Sequence, residues 1–270
     1  MRQLKKVFDL YIYCNFHVAL ASFCLTKLSL LYWDIEANLV PYFVFFSTVT
    51  SYNYIRLTRR KQINTWFSRW LKINKVAILI ISVLSGLACV YILLKLRIEA
   101  FYTLIPFAFL TGLYVIPKFL SKNLNLRNLP AFKIFIISLS WAGITVLFPL
   151  MQYGIFNRTV FLLFIMRFLF VVTLTLPFDL RDYRYDLNFI KTLPILLGVN
   201  KVKIFGIVFL VLYLMFDLCY FNFNNDKIDI IICLTLAFLL LKSSIKQSNY
   251  FSSFWVEGIP ILWLLLYYLV

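Results

Sequence analysis

Acidic side chains are scarce in this chain: eleven Asp and Glu stand against 27 Lys and Arg in 270 residues, and charged residues make up only 14% of the total. Soluble domains carry about a quarter charged residues, so an ordinary soluble domain is excluded. Histidine is almost absent, with His17 alone in an apolar stretch. A single imidazole there reads as a hydrogen-bonding group between helices rather than a base. The five cysteines (Cys14, Cys24, Cys89, Cys219 and Cys233) are scattered and form no CxxC pair. They imply neither a disulfide framework nor a zinc site, and read as small hydrophobic residues. Only seven glycines are present, and no clear internal repeat. That argues against a transporter assembled from repeated, interrupted helices.

What fills the chain instead is apolar. Hydrophobic residues reach 63%, and they fall in blocks of about 20, the length a helix needs to cross a bilayer. The expected fold is all-α, a polytopic membrane bundle of about nine helices forming a single domain over residues 1–270. The spans are placed at 8–31, 38–56, 76–95, 99–118, 133–153, 159–178, 203–222, 228–246 and 251–269. The basic start, Met1 to Lys6, resembles a signal peptide, but the apolar run continues to Leu31 without a small-residue cleavage site and reads as a first helix.

The net charge of +16 is not spread evenly. Of the 27 Lys and Arg, 21 fall at the start of the chain or in every second connection, where the positive-inside rule expects cytoplasmic segments. Such a pattern is topological, so no nucleic-acid partner is expected; the orientation is N-terminus inside, C-terminus outside. Three inner connections, 57–75, 118–133 and 179–202, are longer than the outer ones and form the expected cytoplasmic cap. Within the first, Ile63, Trp66, Phe67, Trp70 and Leu71 follow the spacing of an amphipathic helix, with Arg69 and Lys72 opposite. It reads either as a lid over a cytoplasmic cavity or as a helix resting at the headgroups.

The scarce acids become informative where they gather. Asp179, Asp182 and Asp186 lie within eight residues directly after the sixth span. At 100° per residue they occupy about a 60° arc of a continuing helix. Three like charges on one face need a positive partner, and magnesium is the hard cation that carboxylates share with phosphates. Arg181 and Arg184 are the other possibility, neutralising the face or contacting phosphate themselves. Within the spans, Arg167 is expected to pair with Asp217 or line a cavity, and Glu257 enters the last span near the inner face as a further pocket candidate.

The run Asp179-Leu180-Arg181-Asp182-Tyr183-Arg184-Tyr185-Asp186, followed by Lys191-Thr192-Leu193-Pro194 and Gly198, resembles the second aspartate-rich motif of the UbiA superfamily of intramembrane prenyltransferases. That motif runs DxxDxxxD and then Thr-Leu-Pro-x-x-x-Gly, and the family has nine helices with acidic motifs after the second and sixth. The resemblance implies transfer of an isoprenyl group from an isoprenyl diphosphate to an aromatic or other lipophilic acceptor, in a multi-pass protein of a prokaryotic plasma membrane. It implies that Asp179, Asp182 and Asp186 bind Mg2+, and that Asn53, Arg56, Lys118, Arg127, Arg181 and Lys191 hold the diphosphate. The 29 Phe and 17 Tyr supply material for an isoprenoid chamber, although lipid-facing packing explains most of them.

The chain departs from the family in one place. The first motif, NDxxDxxxD, falls near Ser51 to Arg60, where only Asn53 matches and no acid occurs between Glu36 and Glu99. Two expectations follow: Arg56, Arg59 and Arg60 replace one metal, or the diphosphate site has decayed and the chain is a non-catalytic membrane protein on the same fold.

Overall fold

The computed structural model describes residues 2–36, 39–58, 66–115, 131–186, 192–220 and 226–269. All regular structure among them is helical. Helices α1 (Arg2–Tyr13) and α2 (Phe16–Leu31) form a pair bent by 52°. They are followed by α3 (Leu39–Thr58), α4 (Trp66–Ile73), α5 (Lys75–Leu93), α6 (Ile98–Val115) and α7 (Phe132–Ala142), which continues through a π turn at Gly143–Leu147 into α8 (Phe148–Met151). Then come α9 (Arg158–Asp186), α10 (Leu193–Leu197), α11 (Val199–Tyr220), α12 (Asp226–Lys242) and, after a second π turn at Phe251–Val256, α13 (Ile259–Leu269).

Each expected span contains helix, but not every one is a membrane span on length and composition alone. Lys75–Leu93, Phe132–Met151, Arg158–Arg184, Val199–Tyr220 and Phe251–Leu269 are long and apolar enough to cross, and the bent α1–α2 pair makes a sixth. Helix α3 is long enough at 20 residues, but Ser47, Thr48, Thr50, Ser51, Asn53 and Arg56 dilute its apolar character. Helix α12 has only 17 residues. The outward faces of α5, α11 and α12 carry exposed apolar side chains such as Val83, Leu84, Leu87, Val208, Leu234 and Phe238. An apolar surface of that extent suits lipid rather than water, and the chain is an integral membrane protein.

The largest core cluster joins α2, α9, α11, α12 and α13 through Leu25, Phe170, Tyr213, Leu236 and Trp263. The Phe170 and Trp263 ring centroids are 5.0 Å apart. Helices α9, α11 and α12 meet closely at Gly206, where an added Cβ would lie 2.5 Å from Leu240 and 2.7 Å from Leu176. Within this core lies a polar group. Arg167 is 1% exposed, donates from Nη2 to Ser29 Oγ at 3.1 Å, and sits over the Trp263 ring. Asp229 accepts from the Tyr32 and Tyr213 hydroxyls, each at 3.4 Å. The sequence suggests Asp217 as the partner of Arg167; the hydrogen bond described here reaches a hydroxyl on α2, which packs in the same core as α9.

Two differences from the sequence expectation concern the first span. Helix begins at Arg2 rather than near residue 8, and it breaks at Asn15, which adopts φ 66°. Asparagine tolerates this left-handed conformation better than most residues. The break leaves the Tyr13 carbonyl available to a side chain, and Arg56 takes it.

Candidate functional site

The polar end of the bundle is assembled from several helix ends. Helix α9 has 29 residues, which at 1.5 Å per residue gives about 43 Å, longer than the roughly 30 Å of hydrocarbon. It is therefore long enough for one end to stand outside the apolar layer, and its C-terminal turns carry the aspartate run. Pro177 sits two residues before Asp179, and its carbonyl accepts from Gln247 Nε2 at 2.5 Å. This ties the end of α9 to the segment before α13.

Asp179 is buried and accepts from Lys133 Nζ at 2.9 Å, an ion pair between α9 and the first turn of α7. Asp182 accepts from Arg181 through both oxygens, from Nε at 2.8 Å and Nη2 at 3.2 Å. Arg181 also donates from Nη1 to Ser253 Oγ at 3.0 Å and lies over the Phe178 ring. Asp186 closes the helix, so the DxxDxxxD run is helical throughout. The Thr-Leu-Pro-x-x-x-Gly segment has a local structural role. Pro194 opens the short α10, and Gly198 at φ 83° turns the chain into α11, a conformation that favours glycine.

Asn53 and Arg56 stand three residues apart on α3 and therefore on one face. Arg56 donates to the Tyr13 carbonyl and lies over the Phe67 ring at 5.5 Å. Asn53 is fully buried, and its Oδ1 accepts from Asn15 Nδ2 at 2.6 Å. Its own Nδ2 has no hydrogen-bond partner among the described residues. A buried donor left unmet costs about 1–3 kcal/mol, so this amide invites a ligand or a water. Glu257, just before α13, is half-buried and lies within electrostatic reach of both Arg56 and Arg181.

Around these charges the aromatics form a rim. The Tyr13 ring meets Phe67 at 5.4 Å and Trp70 at 5.3 Å. Helix α4 thus packs against Tyr13, beside the break between α1 and α2. On the other side the Tyr250 hydroxyl donates to Asp9 Oδ1, joining the first helix to the segment that leads into the last. Burial, and then that hydrogen bond, push the Tyr250 phenol above its ordinary range. His17 is satisfied between helices, with Nε2 donating to the Phe254 carbonyl at 2.9 Å and Nδ1 2.8 Å from the Tyr11 hydroxyl.

Of the expected site residues, Asp179, Arg181 and Asp182 lie together in the last turns of α9, while Asn53 and Arg56 share one face of α3 and are bonded to Asn15 and the Tyr13 carbonyl. Lys118, Arg127 and Lys191, with Arg59 and Arg60, lie outside the described residues. Several members are not singled out by the sequence: Tyr13, Asn15, Gln247, Tyr250 and Ser253. Asn15 alone carries a signal, as a polar residue inside an apolar run.

Magnesium needs carboxylate oxygens that can turn toward it. Asp179 gives one to Lys133, and both oxygens of Asp182 accept from Arg181. Helix α3, where the first motif would fall, offers an amide and a guanidinium in place of acids. Among the described residues no group of three or more His, Cys, Asp or Glu is arranged to hold a metal ion. The residues as placed do not fit a two-sided carboxylate cage.

The sequence matches no protein-family model and no curated protein sequence. The fold does have a counterpart, a solved structure of digeranylgeranylglyceryl phosphate synthase, with a TM-score of 0.55 at 19% identity over 98% of each chain. At that identity the likeness establishes a shared fold, and it runs from one end of the chain to the other.

Proposed function

We propose that this chain is an intramembrane prenyltransferase of the UbiA type, moving an isoprenyl group from an isoprenyl diphosphate to an aromatic or other lipophilic acceptor. The observation that carries the reading is the likeness of the whole fold to a synthase whose product name contains geranylgeranyl groups. The aspartate run supports it, since it occupies the end of α9 where cationic side chains from α3, α7 and α9 collect. In this reading the basic end faces the cytoplasm, and Lys118, Arg127 and Lys191 join the same anion site.

The chemistry follows from charge. The C1–O bond of the allylic diphosphate breaks, its electron pair stays on the departing oxygen, and the acceptor supplies the pair that closes the new bond and then loses a proton. Cations fixed beside the leaving group lower this barrier because they are already oriented when the negative charge develops. Arg181 is held by Asp182 and Ser253, and Arg56 by the Tyr13 carbonyl, so both are aimed before the substrate arrives. Asp179 and Asp182 act as the orienting partners of Lys133 and Arg181.

The test compares geranylgeranyl diphosphate with geranylgeraniol, which lacks the anion, for binding to the purified protein in detergent. The diphosphate is expected to bind more tightly by about tenfold or more, and Arg181→Gln to erase that advantage. Equal binding of the two ligands to a folded sample would remove the reading. A non-catalytic isoprenoid-binding protein is the second reading, favoured by the loss of every aspartate from the first motif. Release of inorganic diphosphate in the presence of lipophilic phenols separates it from the first.

A further inference from the structure

One stripe of α11 changes character along its length. Asn200, Lys203, Ile204, Ile207 and Val208 follow the i, i+3, i+4, i+7, i+8 spacing and so share a face. The polar pair stands at the start of the helix and the three apolar residues come after it. The stripe covers about 12 Å, close to the roughly 15 Å of hydrocarbon in one leaflet. With Leu241 of α12 it lines a groove of about 330 Å3. Ile204, Val208 and Leu241 are exposed, so the groove opens on the outside of the bundle.

Helix α12 runs antiparallel to α11. Tyr213 of α11 meets Asp229 near the start of α12, and Lys203 meets its end, where Nζ donates to the Leu241 carbonyl at 2.7 Å. That bond satisfies one of the carbonyls a helix end leaves open, an ordinary task for a lysine. An ammonium has three N–H groups, however, and this one also borders an apolar groove. A second lysine, Lys242, adjoins Leu241, with its Nζ 5.7 Å from the Phe238 ring centroid. No acid occurs in α11 before Asp217 or in α12 after Asp229. The positive charge at this end therefore meets no carboxylate from either helix. Cations at one end of a lipid-facing groove suit an anionic headgroup, and the apolar wall suits the chain attached to it.

We propose that the groove between α11 and α12 is a binding site for an anionic phospholipid, with its phosphate on Lys203, Lys242 and Asn200 and one acyl chain along Ile204, Ile207, Val208 and Leu241. A zwitterionic lipid has the same chains, but its headgroup brings a positive charge of its own toward the lysines. Discrimination at this site is therefore by charge, and it is independent of the prenyltransferase reading.

The experiment counts lipid bound to the delipidated full chain in detergent by native mass spectrometry, using phosphatidylglycerol and phosphatidylcholine with identical acyl chains. Phosphatidylglycerol is expected to bind about tenfold more tightly at low salt, and the preference to shrink as salt is raised. Lys203→Gln is expected to reduce the preference about fivefold, and Lys203→Arg to retain it. Val208→Trp, a change on an exposed position that fills the groove, is expected to weaken binding of both lipids by about fivefold or more. Lys72→Gln, which removes a lysine from α4, should leave the preference as it is. Equal binding of the two lipids overturns the inference, as does a preference that survives Lys203→Gln. Equal losses from Lys72→Gln and Lys203→Gln overturn it too, because the charge of the whole protein would then be responsible. Undiminished binding by Val208→Trp removes the groove as the place where the chain lies.

Discussion

Arg167 and Arg181 stand on the same helix, 14 residues and about 21 Å apart, in opposite surroundings. Arg167 is 1% exposed, with Ser29, Trp263 and the tyrosine-bound Asp229 around it. Arg181 is 24% exposed, lies at a helix end, and meets residues from segments that have left regular α-helical geometry. The first is enclosed by regular helices, which offer hydroxyls and a ring face but no room. The second is bordered by a bend at Asn15 and a π turn at Phe251–Val256, where side chains diverge. Charge inside a membrane bundle therefore has two uses on the proposed function, joining helices where the backbone is regular and meeting ligand where it is interrupted.

The comparison breaks most readily at Arg167. Replacing it with Met leaves Asp229 buried without its nearby cation, and the cost is expected to be about 3–5 kcal/mol of stability, read as a large fall in thermal midpoint. Adding Asp229→Asn should restore part of the loss, since the uncompensated charge goes with it. Arg56→Gln should behave in the opposite manner, with diphosphate binding weakened by about 1.5–3 kcal/mol and the midpoint moved little. Lys133 tests the ground between them, because its side chain is 17% exposed and that of its partner Asp179 only 5%. Lys133→Met is expected to lower stability by about 1–3 kcal/mol and to weaken binding as well. If it affects binding alone, the ion pair belongs wholly to the site.

The smallest effect is expected at Tyr250. Its phenol is raised by burial and by the hydrogen bond to Asp9. A raised folded value means the contribution is complete below the ordinary tyrosine range near pH 10 and is lost as pH rises through the folded value. Tyr250→Phe should remove about 0.5–1.5 kcal/mol at neutral pH and flatten the stability curve on the alkaline side, which thermal unfolding between about pH 8 and 11 would show.

Hydropathy makes the helical stretches legible, because apolar length records contact with lipid directly. The aspartate run and the amphipathic spacing of Phe67, Trp70 and Leu71 are legible for a related reason, each being a local pattern on one helix face. The partners are not. Lys133 and Asp179 are 46 positions apart, and Arg181 and Ser253 are 72 apart; no local rule pairs them. The contact of Arg167 with Ser29 is hidden in the same way, since a charge within a span does not reveal which neighbouring helix its face turns to. The break at Asn15 is invisible to hydropathy because a left-handed residue leaves it unchanged.

The hydrogen bond from Tyr250 to Asp9 joins residues 241 positions apart, and Phe8 packs on Phe254 beside it with ring centroids 5.1 Å apart. During synthesis the helices enter the bilayer in order, so this side of the site stays open until the final helix has arrived. A chain lacking residue 250 and beyond would lose the hydrogen bond from Arg181 to Ser253 as well as that from Tyr250 to Asp9, so this side of the site takes its form only with the last helix.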